Sequence, residues 1–199
     1  MFIIDFKTFV IIPFIIYFFT NSMSTSFYTL IFTLYFMYSP KIVIKNPDPN
    51  TFYSPTSGII RSIDINQDYT TISLFLNIFD NHTQYIPIMS SLIDVKQING
   101  LFLPAYEQHA INNTRVENTL YNSTFGFSYK ITQITGFLTR RIFTLQKINT
   151  LLNTGDRLGF ILLGSRVDIT IPSIKIKNIV VKKNQHIKAL EPLVILKNN

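Results

Sequence analysis

The chain contains no cysteine, which removes disulfide bridges and thiolate metal sites from consideration and leaves the redox compartment unspecified. Histidine is scarce as well. The three residues, at 82, 109 and 186, show no H-E-x-x-H or comparable spacing, so no metal centre is expected. The chain also lacks a GxxxxGK[ST] phosphate loop, a basic helix and an aromatic-rich RNA signature. Acidic side chains number 11 against 18 Lys and Arg, a formal charge of +7. Setting aside Asp5 and Lys7 leaves 17 basic against 10 acidic, the same excess, so the charge belongs to the part after the first apolar stretch. With the nucleic-acid motifs missing, anionic lipid is the expected partner of that charge and nucleic acid is not.

No apolar run reaches the ~20 residues that a ~30 Å hydrocarbon core demands. Residues 2–19 and 23–38 are apolar stretches of 18 and 16 residues, separated by the polar break Thr20-Asn-Ser22. They predict a membrane-associated helical hairpin over 1–39, with an embedded or re-entrant arrangement left open. A cleaved signal peptide is disfavoured by Asp5 beside Lys7 and by the lack of a small-x-small site. Lys41 and Lys45 favour the cytoplasmic side of a cell membrane for the globular part, with a mitochondrial inner membrane as the alternative. Residues 40–55 hold four prolines and predict an extended linker.

Residues 56–199 then predict one mostly β domain, a size that leaves no room for a second catalytic unit. Strands are expected at 58–65, 69–79, 127–134, 141–145, 157–163, 167–171, 174–181 and 193–196, with helix only around 106–112. A weak repeat aligns 152–161 with 187–196, each a turn followed by an apolar strand. This cadence resembles the barrel-sandwich hybrid of lipoyl and biotinyl carrier domains. A carrier function is disfavoured, because no M-K-M or D-K-A hairpin presents a lysine for a prosthetic group.

One junction stands out. Gly164-Ser165-Arg166 interrupts two apolar runs, placing a hydroxyl directly after a residue that lets the backbone bend and be approached closely. Ser165 is then placed where it could attack the carbonyl of Gly164, although the pair taken alone reads first as a Gly-Ser turn between strands. Asp80 and His82 lie two apart, so on a strand they would share a face. Arg140 and Arg141 could grip phosphate or carboxylate.

The segment Leu163-Gly-Ser-Arg-Val-Asp-Ile-Thr-Ile-Pro172 resembles the processing site F-G-S-R-V-D-V-Y-L-P of the short bacterial phosphatidylserine decarboxylases. Other pieces keep the family's order. They are Lys45-Asn-Pro47, Ser54-Pro-Thr-Ser-Gly58 on S-P-A-D-G, and Ile72 to His82 on I-S-I-F-L-(x)3-D/N-V-H, with Pro87 at the matching proline. Gly100-Leu-Phe-Leu-Pro-Ala105 and Asn113-Thr-Arg115 come next on G-x-F-x-x-A and N-E-R, and Gln133 to Ile142 on Q-I-A-G-L-I-A-R-R-I.

The resemblance implies a membrane-associated proenzyme that cuts itself between Gly164 and Ser165 and converts Ser165 into a covalent pyruvoyl group. That ketone would form a Schiff base with phosphatidylserine and take up the electrons released with carbon dioxide, giving phosphatidylethanolamine. His82 would donate a proton, Asp80 would orient it, and Arg140, Arg141 and Arg115 would hold the substrate. The two fragments should stay associated, and the chain could pair with a second copy as a homodimer. His109 and His186 have no family counterpart and read as surface residues. Two positions depart from the pattern: Ser57 stands where the family has an aspartate thought to act as base in self-cleavage, and Thr114 replaces its glutamate. They keep open an alternative, an uncleaved relative that binds lipid or a partner.

Overall fold

A computed structural model describes residues 18–20, 22–37, 42–77, 79–137, 141–161 and 164–197. Two units result, Met1–Lys41 and Ile42–Asn199. In the first, helix α1 (Met23–Met37) contains no charged residue, and the Thr25 and Ser26 amides turn back to Ser22 at its start. Among the described residues no helix is long and apolar enough to cross a membrane. Residues 1–17, which hold most of the first predicted apolar stretch, lie outside the described residues.

The second unit is built almost wholly from strands. β1 (Thr51–Tyr53), β2 (Gly58–Ile65), β3 (Tyr69–Leu76), β4 (Thr83–Tyr85) and β5 (Ser90–Ile98) come first. A 3-10 turn (Gln108–Asn112) separates them from β6 (Arg115–Asn122), β7 (Phe127–Ile134), β8 (Ile142–Thr144), β9 (Leu151–Leu152) and β10 (Arg157–Ile161). β11 (Ser165–Pro172), β12 (Ile176–Ile179), β13 (His186–Ile187) and β14 (Pro192–Leu196) complete the chain. An eight-stranded antiparallel sheet runs β13-β2-β3-β11-β7-β6-β5-β9, and two three-stranded sheets run β1-β14-β12 and β4-β10-β8.

Strand alternation decides which face is dry. In β11, Val167, Ile169 and Ile171 are fully buried; in β7 the alternating residues Phe127, Tyr129 and Ile131 join them, while Ser128 and Lys130 face water. β11 lies between β3 and β7 and pairs along its length with β3. Pulling it out would expose three fully buried β-branched side chains, each contributing about 1.5–3 kcal/mol by burial.

The expected linker over 40–55 requires correction, because its end is a buried strand. Phe52 is fully buried and meets Tyr129 edge-on at 4.9 Å, while β1 pairs with β14. Flanking prolines hid a three-residue strand that packs by its aromatic rings. The predicted strand 69–79 also stops early, at Leu76, where Asn77 caps a turn by accepting the Phe79 amide at 2.7 Å.

The weak repeat has a structural counterpart. Turns 153–156 and 188–191 are closed alike, Asn153 N–H donating to Asp156 Oδ2 at 2.7 Å and Lys188 N–H to Glu191 Oε2 at 2.9 Å. Each turn docks on one partner residue through a pair of main-chain bonds: Gly155 and Asp156 on Ile86, Leu190 and Glu191 on Ser54. Those partners belong to a second repeat, Asp48-Pro-Asn-Thr-Phe-Tyr-Ser-Pro55 and Asp80-Asn-His-Thr-Gln-Tyr-Ile-Pro87, which share Asp, Thr, Tyr and Pro at equal spacing. Tyr53 N–H donates to Pro87 C=O at 3.1 Å, and Tyr85 N–H to Pro55 C=O at 2.7 Å. The two small sheets are thus pseudo-symmetric mates, with β1, β14 and β12 matching β4, β10 and β8.

Candidate functional site

Parts of five matched sequence pieces, those holding Gly58, Leu76, Arg115, Ile134 and Ser165, meet at one end of the large sheet. Ser165 begins β11 opposite Leu76, the last residue of β3. Arg166 pairs with Ile134 at the end of β7, which pairs in turn with Arg115 at the start of β6. Ile59, beside Ser57, pairs with Phe75 and with His186. The loop 77–82 leaves β3 opposite Ser165 and returns where the Ile161 amide donates to the His82 carbonyl at 3.1 Å. It therefore brackets the Gly164-Ser165 junction from both sides.

At the junction Gly164 has φ +67°, a left-handed backbone that glycine adopts without penalty. Its carbonyl lies hard against Gly136: a Cβ on Gly136 would fall 1.9 Å from the Gly164 oxygen and 3.3 Å from the Ala105 Cβ. The Ser165 side chain sits on the apolar face with Val167 and is fully buried, and its Oγ has no hydrogen-bond partner among the described residues. A buried unsatisfied hydroxyl costs about 1–3 kcal/mol. Hydroxyls left in that state ask for an explanation, and reactivity is one.

His82 is buried, and its Nδ1 lies 2.7 Å from the Asp80 carbonyl oxygen. A carbonyl only accepts, so Nδ1 carries the proton and the neutral ring keeps a lone pair on Nε2, the form of a base. Burial holds its pKa below the usual 6.5; the Asp80 carbonyl and the Asp80 charge oppose that shift more weakly. The folded value is depressed, so as pH falls below 6.5 the unfolded chain binds the proton first and stability declines towards the folded value. Urea midpoints of the intact chain should fall between about pH 8 and about pH 5, and His82→Asn should flatten that fall.

The expected geometry of Asp80 is corrected. It lies in a turn rather than on a strand, so it orients His82 through its main-chain carbonyl, and its carboxylate faces elsewhere. Asp80 Oδ2 accepts the Asn77 amide at 2.9 Å, and Oδ1 meets His186 Nε2 at 2.7 Å. His186 lies on the surface as expected, its side chain half exposed, and it nevertheless meets the Asp80 carboxylate.

Ser57 is buried, and its Oγ accepts the Ala189 amide at 2.9 Å. Its loop is tied to loop 77–82 by Thr56 Oγ1 donating to Asn81 C=O at 3.2 Å. Arg115 is largely committed: Nε bonds Glu117 at 3.1 Å and Nη1 the Ile111 carbonyl at 2.9 Å. Thr114 Oγ1 accepts the Gly100 amide at 3.0 Å, closing the loop that carries Ala105. Arg141 is exposed just before β8, and Arg140 lies outside the described residues.

Two supports escaped the sequence reading. Arg166 forks onto Asp168, Nε to Oδ1 at 2.7 Å and Nη2 to Oδ2 at 2.8 Å, with Nη2 also 3.1 Å from Ser73 Oγ. This pair fixes the first turn of side chains after Ser165, and its i, i+2 spacing on a strand was the signal available. A buried amide relay also runs from Asn118 Nδ2 to Gln133 Oε1 at 3.0 Å and from Gln133 Nε2 to Gln84 Oε1 at 2.7 Å. Gln84 Nε2 completes it by donating to the His82 carbonyl at 2.9 Å, bracing the histidine from the core.

Fold and junction together define a class: a mostly β domain with a left-handed glycine followed by a buried serine at the end of its central sheet. A profile of the family described as phosphatidylserine decarboxylase matches residues 29–194. The chain belongs to that family. Relatives named phosphatidylserine decarboxylase proenzyme include one from Chlorobaculum parvum, 34% identical over 74% of this chain and 71% of its own length. Others come from Chlorobium chlorochromatii, 32% identical over 72% and 70%, and from Carboxydothermus hydrogenoformans, 30% identical over 81% and 78%.

Proposed function

We propose that the chain is a phosphatidylserine decarboxylase proenzyme that cuts itself between Gly164 and Ser165. The observation that carries this reading is the buried Ser165 Oγ, without a hydrogen-bond partner among the described residues, directly after a left-handed glycine whose carbonyl is pinned on Gly136. His82 Nε2 accepts the hydroxyl proton as Oγ attacks the Gly164 carbonyl carbon, and the peptide C–N bond gives way to an ester, freeing the Ser165 amine. Loss of the Ser165 α-proton then expels the Gly164 carboxylate. Water releases ammonia from the resulting enamine and leaves a pyruvoyl group at position 165.

A residue able to become that group is present, and its surroundings suit it, since the position is buried beside Val167 on the apolar face of β11. The pyruvoyl ketone supplies an electron sink for decarboxylation. His82 returns a proton to the carbon that loses carbon dioxide. Arg141, with Arg140, grips the anionic headgroup of phosphatidylserine, whereas Arg115 braces the β6 start through Glu117.

After cleavage the second fragment retains β11 between β3 and β7, and β13 and β14 on β2 and β1. The fragments are therefore proposed to remain one body. Exposed Phe79, Tyr106 and Phe137 on the loops at this end, with the +7 charge, suit a lipid surface. The proposed location is the cytoplasmic face of a cell membrane, or a mitochondrial inner membrane, with residues 1–39 as hairpin anchor. The paired small sheets are read as the halves of a barrel-sandwich hybrid.

Denaturing mass spectrometry of the purified full chain tests the reading. Two products are expected, residues 1–164 and residues 165–199, the latter carrying a carbonyl that borohydride reduces. An intact chain of 23.0 kDa with serine at 165 overturns it in favour of an uncleaved lipid- or partner-binding relative. One observation favours that second reading: the family's aspartate position holds Ser57, whose hydroxyl is occupied by the Ala189 amide.

A further inference from the structure

The internal repeat supplies a control for the site. Asp48 and Asp80 hold the same place in their two motifs, yet their carboxylates are used differently. Asp48 is exposed and is satisfied within its own turn, by the Asn50 amide at 3.0 Å and Thr51 Oγ1 at 2.7 Å. Asp80 is buried, its side chain 5% exposed, and it reaches across to another strand. One oxygen takes the Asn77 amide, and the other meets Nε2 of His186 at 2.7 Å, 106 residues away in sequence. The fold builds this turn without any such reach in its other copy, so the cross-link to His186 serves something particular to the second copy. Of the four positions at which the copies differ, the one bonded to the Asp80 carbonyl through its side chain is His82, which occupies the position of Asn50.

His186 is itself held. β13 pairs with β2, His186 opposite Ile59 and Ile187 opposite Gly58, which sets the ring beside the loop that carries Ser57. The chain of bonds then reads His186 Nε2 to Asp80 carboxylate, and Asp80 carbonyl to His82 Nδ1 at 2.7 Å. Both ends of the Asp80 residue are engaged, so the carbonyl that sets the His82 tautomer cannot swing freely.

We propose that His186 is a positioning residue for His82, holding the Asp80 carboxylate so that the Asp80 carbonyl keeps the His82 proton on Nδ1 and the lone pair on Nε2. The inference rests on the self-cleavage reading for its purpose but not for its test. It gives a side-chain anchor to a site where Ser57 stands at the aspartate position of the family pattern.

The test uses the full chain carrying Ser165→Ala, labelled with 15N in its histidine rings; only three imidazoles contribute. The ring nitrogen shifts should show His82 as a single Nδ1-protonated tautomer. His186→Phe keeps ring volume without a donor and should let both tautomers populate; His186→Gln restores a donor and should return the single form. In the chain with Ser165 retained, His186→Phe should slow cleavage about tenfold, a part of the 10²–10⁴ typical of acid–base catalysis, and His186→Gln should recover most of it. An unchanged His82 tautomer in His186→Phe overturns the proposal, as does equal damage from both variants. If His186→Phe does not fold, His186→Ala is judged by the same criterion. Absence of cleavage in the Ser165 chain sinks the proenzyme reading instead, and the ring shifts still decide the role of His186.

Discussion

Ser165→Ala is expected to abolish processing completely and, at the same time, to make the chain more stable. The two effects have one cause. The hydroxyl is fully buried on the apolar side of β11 and has no hydrogen-bond partner among the described residues, so the folded state forfeits the water it would bond when unfolded. Alanine removes that unsatisfied group and changes little else, because the strand's pairing with β3 and β7 is made by main chain. Measured in a His82→Asn background, where both chains should remain uncut, the substitution should add about 1 kcal/mol by urea titration. Without Oγ there is no nucleophile for the Gly164 carbonyl, and mass spectrometry should find only the 23.0 kDa chain. A loss of stability on Ser165→Ala would mean that the hydroxyl is bonded and structural, and the turn-residue account of Gly164-Ser165 would then prevail.

How much of this could be read from the sequence depends on where each residue's reason lies. β7 is legible to its ends because Phe127, Tyr129 and Ile131 alternate with polar partners, a local pattern with a local cause. β5 and β6 are not, though they are nine and eight residues long. In β6 the inward positions are Val116, Asn118, Leu120 and Asn122, so two asparagines break the apolar rhythm. Asn118 is inside because Gln133 and the Ile131 carbonyl await it on the next strand, a partnership absent from its own segment.

The site divides the same way. Gly164, Ser165 and His82 stand in motifs and can be named from them. The turn that sends the Asp80 carboxylate to His186 depends on the strand after Leu76 ending early and on β13 lying beside β2. Neither fact is local. The duplication is half visible for a related reason: the offset-35 turns share their shape, whereas Asp48 to Pro55 and Asp80 to Pro87 share only four of eight residues. The matching hydrogen bonds between Tyr53, Pro87, Tyr85 and Pro55 make their equivalence plain.

Gly136→Ala should strike the Gly164-Ser165 junction directly with a single added methyl. The added Cβ would lie 1.9 Å from the Gly164 carbonyl oxygen and 3.1 Å from its carbon, and both are main-chain atoms with no rotamer in which to retreat. Ala105 closes a third side at 3.3 Å. Either β7 shifts at its end or the junction moves, and overpacking of this kind costs about 1–3 kcal/mol. The effect on chemistry should exceed the effect on stability. Displacing a reacting carbonyl by about 1 Å can cost a hundredfold in rate, so cleavage should slow by about that factor while the chain stays folded. Gly126→Ala is the matched control. Gly126 has a positive φ, +63°, which Gly136 does not, but a Cβ there meets nothing within 4 Å, and the position lies at the opposite end of β7. It should lose about 1 kcal/mol to backbone strain and cleave at the normal rate. If Gly136→Ala cleaved as fast as Gly126→Ala, the close seat of the Gly164 carbonyl would have no part in processing, and the junction would have to be poised by some other contact.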